Sequence, residues 1–499
     1  MNVRPCAKGL VTIGLVVLGV IATIGSLLAY VRQEALMREE TLLARSLALQ
    51  ASELRDVDPY TSLKLGVAAV HINADATSRK ALLESLLVLR REDLFSMDPR
   101  GASSVALSQD GHVALIKDAD GIGVWDLSGM LDEDPEGEAE ERAELEGDYK
   151  NVDFLALSSD GRTALIGQDD GTAVLWDLTK LAQPTRSGTI NAGTAREADR
   201  GIEALALSRD GRTACVGDLD GNFSIWDLSV RTKPIKRSHV RLPAGRIRSI
   251  SLDADARLAA ILTGDRDVTV WDLSRPDSPI QLSRLDLPFN TAEPISISAD
   301  GREILVGSSQ RADVWSLADP ARPIHAAALD MPNQDLYGIA LSDSKKIALF
   351  AGDGGSVPLW DLSTPSRPTN TSFLKNYSRE VSHIAVSADG EVALTASPDR
   401  GVTMWDLRDL PEMLEDPVGV ACNAPDSLKI TREEWTRYAG DADWTRYGGG
   451  RFGKDTFAAC SIDWALTVNP RRESHGEMNG AFHVLEQIVS GVGAVDPVG

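Results

Sequence analysis

SSDGRTALIGQDDGTAVLWDL, residues 158–178, decides the fold. An apolar strand, Phe154-Leu155-Ala156-Leu157, leads into it. Asp160-Gly161 then makes a tight turn, because glycine accepts a positive φ at no steric cost. A second strand, a second Asp/Gly-rich turn and a third strand ending in Trp176-Asp177 complete the phrase. It returns as SRDGRTACVGDLDGNFSIWDL at 208–228, and its tryptophan recurs at Trp125, Trp176, Trp226, Trp271, Trp315, Trp360 and Trp405. The intervals are 51, 50, 45, 44, 45 and 45 residues.

A period of 40 to 50 residues built from short strands is the mark of propeller blades. Seven copies therefore predict a mainly β chain with a seven-bladed β-propeller over residues 93–408. The first turn is Asp-Gly at Asp110-Gly111, Asp160-Gly161, Asp210-Gly211, Asp300-Gly301 and Asp389-Gly390. Asp255-Ala256 and Ser344-Lys345 stand in its place in copies four and six, which predicts looser turns there. A proline lies eight residues past the tryptophan in five copies: Pro184, Pro234, Pro279, Pro323 and Pro368. Proline has no N–H to give a ladder, so it marks the outermost, edge strand of a blade. Copy seven has no such strand after Trp405, whereas Leu94-Phe95-Ser96-Met97 stands alone before copy one. This segment is expected to pair with the 401–407 strand and close the ring.

The pairs Trp125-Asp126, Trp176-Asp177, Trp226-Asp227, Trp271-Asp272, Trp360-Asp361 and Trp405-Asp406 resemble the WD-repeat family, with Trp315-Ser316 a degenerate member. The flanks resemble the helical neck and the Cys…L-T-x-x-E-W…Cys tail of bacterial membrane-anchored WD-repeat proteins. Here the tail reads Ile430-Thr431 to Glu434-Trp435 between Cys422 and Cys460. In that group such regions sometimes follow signal-transduction NTPase domains. The Gly-His dipeptide of the family is missing before the inner strands, which removes the family's Asp-His-Ser/Thr-Trp network and leaves more of the stability to aliphatic packing.

Ahead of the repeats, after a stub at 1–8, Gly9 to Tyr30 is an uncharged run of 22 residues. As a helix it would span about 33 Å, enough for a hydrocarbon core of roughly 30 Å. It reads as a single uncleaved transmembrane anchor, too long for the apolar core of a signal peptide. The nearby Lys/Arg counts, two before and three after, do not decide its orientation. Residues 31–92 read as a helical neck. Leu36, Leu43, Leu47 and Leu54 share one helical face, Asp58-Pro59 starts a second helix, and Asp75 caps a third.

Composition narrows the functions. A formal net charge of −23 argues against nucleic acid, whose binding draws on Lys and Arg at phosphates. Residues 132–148 hold ten carboxylates and one arginine and read as a solvated loop. The seven histidines show no HExxH, and no GxSxG elbow occurs. Gly448 to Asp455 nearly matches a phosphate-cradling loop, but Asp455 stands where a Mg²⁺-binding hydroxyl belongs. Asp118-Ala-Asp120-Gly121 and Asp218-Leu-Asp220-Gly221 lack the Glu that closes an EF-hand loop and read as hairpin turns. No catalytic residue, cofactor site or metal ligand is assigned. Cys215 aligns with Leu115 and Leu165, as a small buried residue. Cys422 and Cys460, in the extension at 409–499, enclose a segment too short and polar to build much core, and are expected to form a disulfide. Such bonds persist in oxidising compartments, which would place the propeller outside the cytoplasm. The expected function is a non-catalytic, membrane-anchored module binding a protein or extracellular ligand. The alternatives are a sensor domain of a signalling system, or an enzyme with its site at the channel mouth.

Overall fold

The structure, a computed structural model, describes residues 6–93, 101–423, 428–440 and 456–459. The stretches 132–137, 193–200, 289–293 and 376–379 and positions 148, 150, 151, 153, 169, 244, 265, 343, 345 and 400 are excepted. Side chains of the first helix are described from Gly25 onward. Two compact units emerge: residues 86–415, and residues 1–85 together with 416–499.

In the larger unit, five antiparallel sheets have four strands each and a sixth has six. The six-stranded sheet holds two blades. Its strand Glu303–Ser316 folds back at Gln310, where φ is +63°, so that the Leu317 N–H meets the Arg302 carbonyl at 2.6 Å. Its strand Ile324–Ser342 serves both blades. Residues 324–330 lie opposite 311–316 and close blade five, while residues 336–342 lie opposite 347–352 and open blade six. Each blade's innermost strand lies against that of the next, and blade seven's, His383–Val386, lies against blade one's, Ala102–Leu107. The seven blades form a closed ring, the architecture of a β-propeller.

An N-terminal strand does complete blade seven, three residues earlier than expected. Arg91, Glu92 and Asp93 pair with Trp405, Met404 and Thr403. Residues 94–97 lie outside the described residues. The rim of a blade is wet, so its outer strand needs no apolar pattern, and Arg-Glu-Asp serves where Leu-Phe looked the better strand. The same physics corrects the acidic stretch. Glu140–Glu144 is not loop but blade one's outer strand, with Arg142 donating to the Asp126 carboxylate at 2.9 Å and 3.1 Å. The five prolines each stand one residue before an outer strand.

The core lies between blades. Trp176, Val174 and Ile166 of blade two pack on Leu115, Ile122 and Val124 of blade one. Trp125 likewise packs on Leu394, Val402 and Met404 of blade seven, sealing the ring. All seven tryptophans are buried. Each contributes about 4–6 kcal/mol of apolar transfer, taken as area against a fully extended chain.

The second unit gathers both ends of the chain. Helix α1, Cys6–Leu54, is continuous, so the segments read as anchor and neck share one rod. Among the described residues no helix is long and apolar enough to cross a membrane. Most of the expected span, residues 9–24, falls where side chains are not described. α2, Pro59–Ile72, starts as expected on Asp58, whose carboxylate accepts from the Thr61 N–H at 3.1 Å. Asp75 accepts from the Ser78 N–H at 2.9 Å at the head of α3, Ala76–Val88. The buried face of α1 is Ala44, Leu47, Ala48 and Ala51, and of the predicted leucine stripe only Leu47 lies in it. Alanines replace the leucines because small residues let helices approach closely. Gly66 of α2 does the same against Leu82, where an added Cβ would meet the Leu82 Cα at 3.0 Å.

Onto these helices folds the C-terminal segment: α6, Pro417–Cys422, a two-strand ladder of Lys429–Thr431 with Thr456–Ala458, and α7, Arg432–Ala439. The predicted Thr431–Glu434 capping box forms. Glu434 also accepts from Lys64 at 2.9 Å, and Gln50 donates to the Tyr438 carbonyl at 2.8 Å. The segment from Asp416 onward is thus part of the helical neck's own unit. α5, Leu410–Glu415, stays with the propeller.

Candidate interaction face

Within the propeller, the turn between a blade's first and second strands carries a serine two residues before its aspartate, a feature the sequence reading missed. Ser158 is buried; its hydroxyl donates to Asp160 at 2.6 Å and accepts from the Thr163 N–H at 2.9 Å. Ser108, Ser208, Ser298 and Ser387 make the same pair of bonds in their blades. Blade four substitutes Asp253, which accepts from the Arg257 and Leu258 N–H groups at 2.7 and 3.0 Å, and burial pushes its carboxyl up. Its turn is no looser than the others. Ala256 takes φ +50° and keeps the turn's N–H bond to the Asp253 carbonyl at 3.1 Å.

The residue between serine and aspartate forms a collar round the channel. Ala388 N–H donates to the Gln109 carbonyl, Gln109 to Ser159, and Ser159 to Arg209, at 2.8, 3.0 and 2.9 Å. Ala254 donates to Ala299 at 3.0 Å. The collar frames a cavity of about 260 Å³ on the propeller axis, walled by strand ends such as Leu157, Leu207, Leu252 and Ile297. Among the described residues its titratable side chains are Arg209 at the lip and Asp253, whose carboxylate is turned into its own turn. Among the described residues no group of His, Cys, Asp or Glu is placed to hold a metal.

The aspartates after tryptophan organise the same face. Asp177, Asp227 and Asp272 accept from the N–H two residues on, at 2.8–2.9 Å, and start the turn to the outer strand. Bonds from Thr179, Ser229 and Ser274 hold these three carboxyls below the usual range. Asp361 and Asp406 do the same with Ser363 and Arg408, and Asp126 with Ser128. At Ser316 the hydroxyl takes this part for Ala318, at 3.4 Å.

The indoles are bonded differently from blade to blade. Trp226 donates to Ser224, Trp271 to Thr269 and Trp405 to Thr395, each at 2.9 Å, and Trp176 to the Tyr149 hydroxyl at 3.1 Å. The indole N–H groups of Trp315 and Trp360 are buried without an acceptor among the described residues. The tryptophans are buried and the aspartates are bonded into their own turns. Asp118 and Asp218 close backbone turns, as read from the sequence.

The repeat now has a defined frame. Residues 140–177 match the WD domain, G-beta repeat family. The stretch is a WD repeat. It begins on the outer strand of blade one and ends at Trp176-Asp177 of blade two, so sequence repeat and blade are offset by one strand. That WD-repeat offset is what Arg91–Asp93 resolves at the ring's end. The chain is also 38% identical over 85 residues to a protein described as NAD(+) hydrolase ApTIR, from an Actinoplanes species. That similarity covers 17% of this chain and 12% of the relative.

Cys215 is a free thiol, fully buried, and burial pushes it up, as its alignment with leucines predicted. Cys422, at the end of α6, is not among the free thiols. Its expected partner Cys460 lies outside the described residues, as does the near-match at 448–455.

Proposed function

We propose that the protein is a non-catalytic scaffold that binds another protein on the face framed by the collar, and is tethered to a membrane by the head of α1. One observation carries the binding reading: a WD repeat sits in a rigid closed ring whose channel mouth is aliphatic with a polar collar. Fold alone leaves function open, so the argument rests on the face. A propeller enzyme would gather titratable groups at the channel mouth, and among the described residues this end offers Arg209 and Asp253.

The tether rests on the uncharged run Gly9 to Tyr30 and on α1 continuing unbroken through it. A Cys422–Cys460 disulfide would staple the C-terminal segment of the smaller unit and would set the propeller outside the cytoplasm.

Cross-linking on intact membranes followed by mass spectrometry tests the binding reading. Cross-links from a second protein should converge on the collar face. Cross-links scattered over the rim would sink it. Carbonate extraction tests the tether: the full chain should stay in the pellet, and the chain lacking residues 1–30 should not. Peptide mapping without reductant should yield one species joining Cys422 to Cys460, and two alkylated thiols would remove the staple.

A further inference from the structure

The residue after the turn glycine, or after its equivalent, repeats too. It is Arg162, Arg212, Arg257, Arg302 and Lys346 in blades two to six, His112 in blade one and Glu391 in blade seven. Its backbone is fixed, because its carbonyl accepts the N–H of the buried leucine after the Trp-Asp pair: Leu178 to Arg162, Leu228 to Arg212, Leu317 to Arg302, at 2.6–2.8 Å. Its side chain is not. Arg162, Arg212 and Arg302 are exposed and make no ion pair among the described residues, and Arg257 meets Asp255 only at 3.8 Å with both side chains exposed. Five cations thus stand in an arc on the face that holds the axial cavity, with Arg209 at its lip.

Carboxylates share this face within Coulombic reach of Arg162, Arg302 and Lys346, and each is held by hydrogen bonds inside its own turn. Asp160, Asp210 and Asp300 each accept from a serine hydroxyl and a backbone N–H. The Trp-Asp carboxylates are spent on their own turns. The groups left with free donors toward solvent are the guanidiniums. The opposite end of the blades is built the other way, with Asp118, Asp170, Asp218, Asp267, Asp353 and Asp399 in the turns between second and third strands.

We infer that the arc of blades two to six binds a short acidic segment of a partner protein, with one of its carboxylates seated at Arg209 over the channel mouth. This rests on the protein-binding reading and names the partner's chemistry. The arc's incompleteness selects a short segment. Blade seven presents Glu391 and blade one Asp126 with the exposed Glu140 on the same face. A long polyanion or a flat anionic membrane would have to cover those blades as well, where like charges repel it.

Fluorescence anisotropy on the full chain in detergent, with a labelled twelve-residue Glu/Gly peptide at about 0.15 M salt, tests this. The peptide should bind, and Arg162→Glu/Arg212→Glu/Arg302→Glu should weaken it by about tenfold or more. Arg209→Gln should weaken it as a single change. Arg241→Glu/Arg284→Glu, at the other end of the blades, should leave it unchanged. The triple Gln variant guards against misfolding and should show an intermediate loss with an unaltered thermal transition. No binding, or equal losses from both ends, overturns the inference. So does tighter binding of single-stranded DNA or phosphatidylserine vesicles that the same triple variant abolishes. If cross-linked partners still converge on the collar face of the triple Glu variant, protein binding stands and the acidic-segment inference falls alone.

Discussion

The backbone N–H of Ala388, in blade seven, donates to the carbonyl of Gln109, in blade one, at 2.8 Å. The ring is therefore closed twice: by this bond at the channel, and at the rim by residues 91–93 on the 403–405 ladder. Arg90 reinforces the rim closure, reaching Asp409 at 2.5 Å and Asp406 at 3.5 Å.

The two closures should open separately. Replacing Arg91, Glu92 and Asp93 together by glycine weakens the rim strand by about 0.5–1 kcal/mol per residue. Hydrogen exchange should then speed up at Gly401–Asp406 while the Gln109 and Ala388 amides keep their protection. Equal loss at both places would mean that the rim strand holds the whole ring.

Asp253 should be a liability at neutral pH. Burial raises its carboxyl above the unfolded value of about 3.9, so the ionised form costs stability above the folded pKa, and the cost disappears below the unfolded one. Asp253→Ser, which restores the residue used by the neighbouring turns, should raise the melting temperature at pH 7 and lose that advantage near pH 3. A gain of equal size at both pH values would contradict the assignment. Asp177, Asp227 and Asp272 have the opposite sign. Their lowered carboxyls add stability above about pH 4 that is lost as pH falls through the folded values.

Trp405 and Trp360 should answer differently to the loss of a hydroxyl. Thr395→Val leaves the buried Trp405 N–H without its 2.9 Å acceptor, at a cost of about 1–3 kcal/mol in denaturant unfolding. The Trp360 N–H already lacks one, so Ser372→Ala in the same blade, whose buried hydroxyl is also unpaired, should be within about 0.5 kcal/mol of neutral.

In the smaller unit, Arg55 and Glu84 form a buried pair at 2.6 Å. Glu84→Ala leaves the buried guanidinium with Asp56 at 3.7 Å and should cost about 3 kcal/mol, whereas Arg55→Met with Glu84→Leu should be close to neutral. Unfolding of the double variant below that of the single one would reverse this account.

The inner three strands of each blade were legible because they are buried and repeat: Trp125 to Trp405 set the frame before any coordinate did. Outer strands were not, since Glu140–Glu144 faces water and neither it nor Arg91–Asp93 carries an apolar period. Only the prolines before five of them gave a local signal. Ser158 and its equivalents looked like ordinary turn residues, because a hydroxyl's role depends on the N–H five positions on. The arc of Arg162 to Lys346 was in the text of repeats two to six, yet its meaning required knowing that these residues share one end of the ring. The union of Glu434 with Lys64 had no local signature, being a contact across most of the chain.

The one-strand offset between repeat and blade means that the propeller's two ends are laid side by side, Arg91 opposite Trp405. The order in which blades are synthesised is then not part of the architecture. A chain recut at the 244–246 connection, with Asp406 joined to Arg91 by a few glycines, presents the same pairings in a rotated order. The smaller unit would be the casualty, since both of its segments lie outside the joined ends and are lost from such a chain.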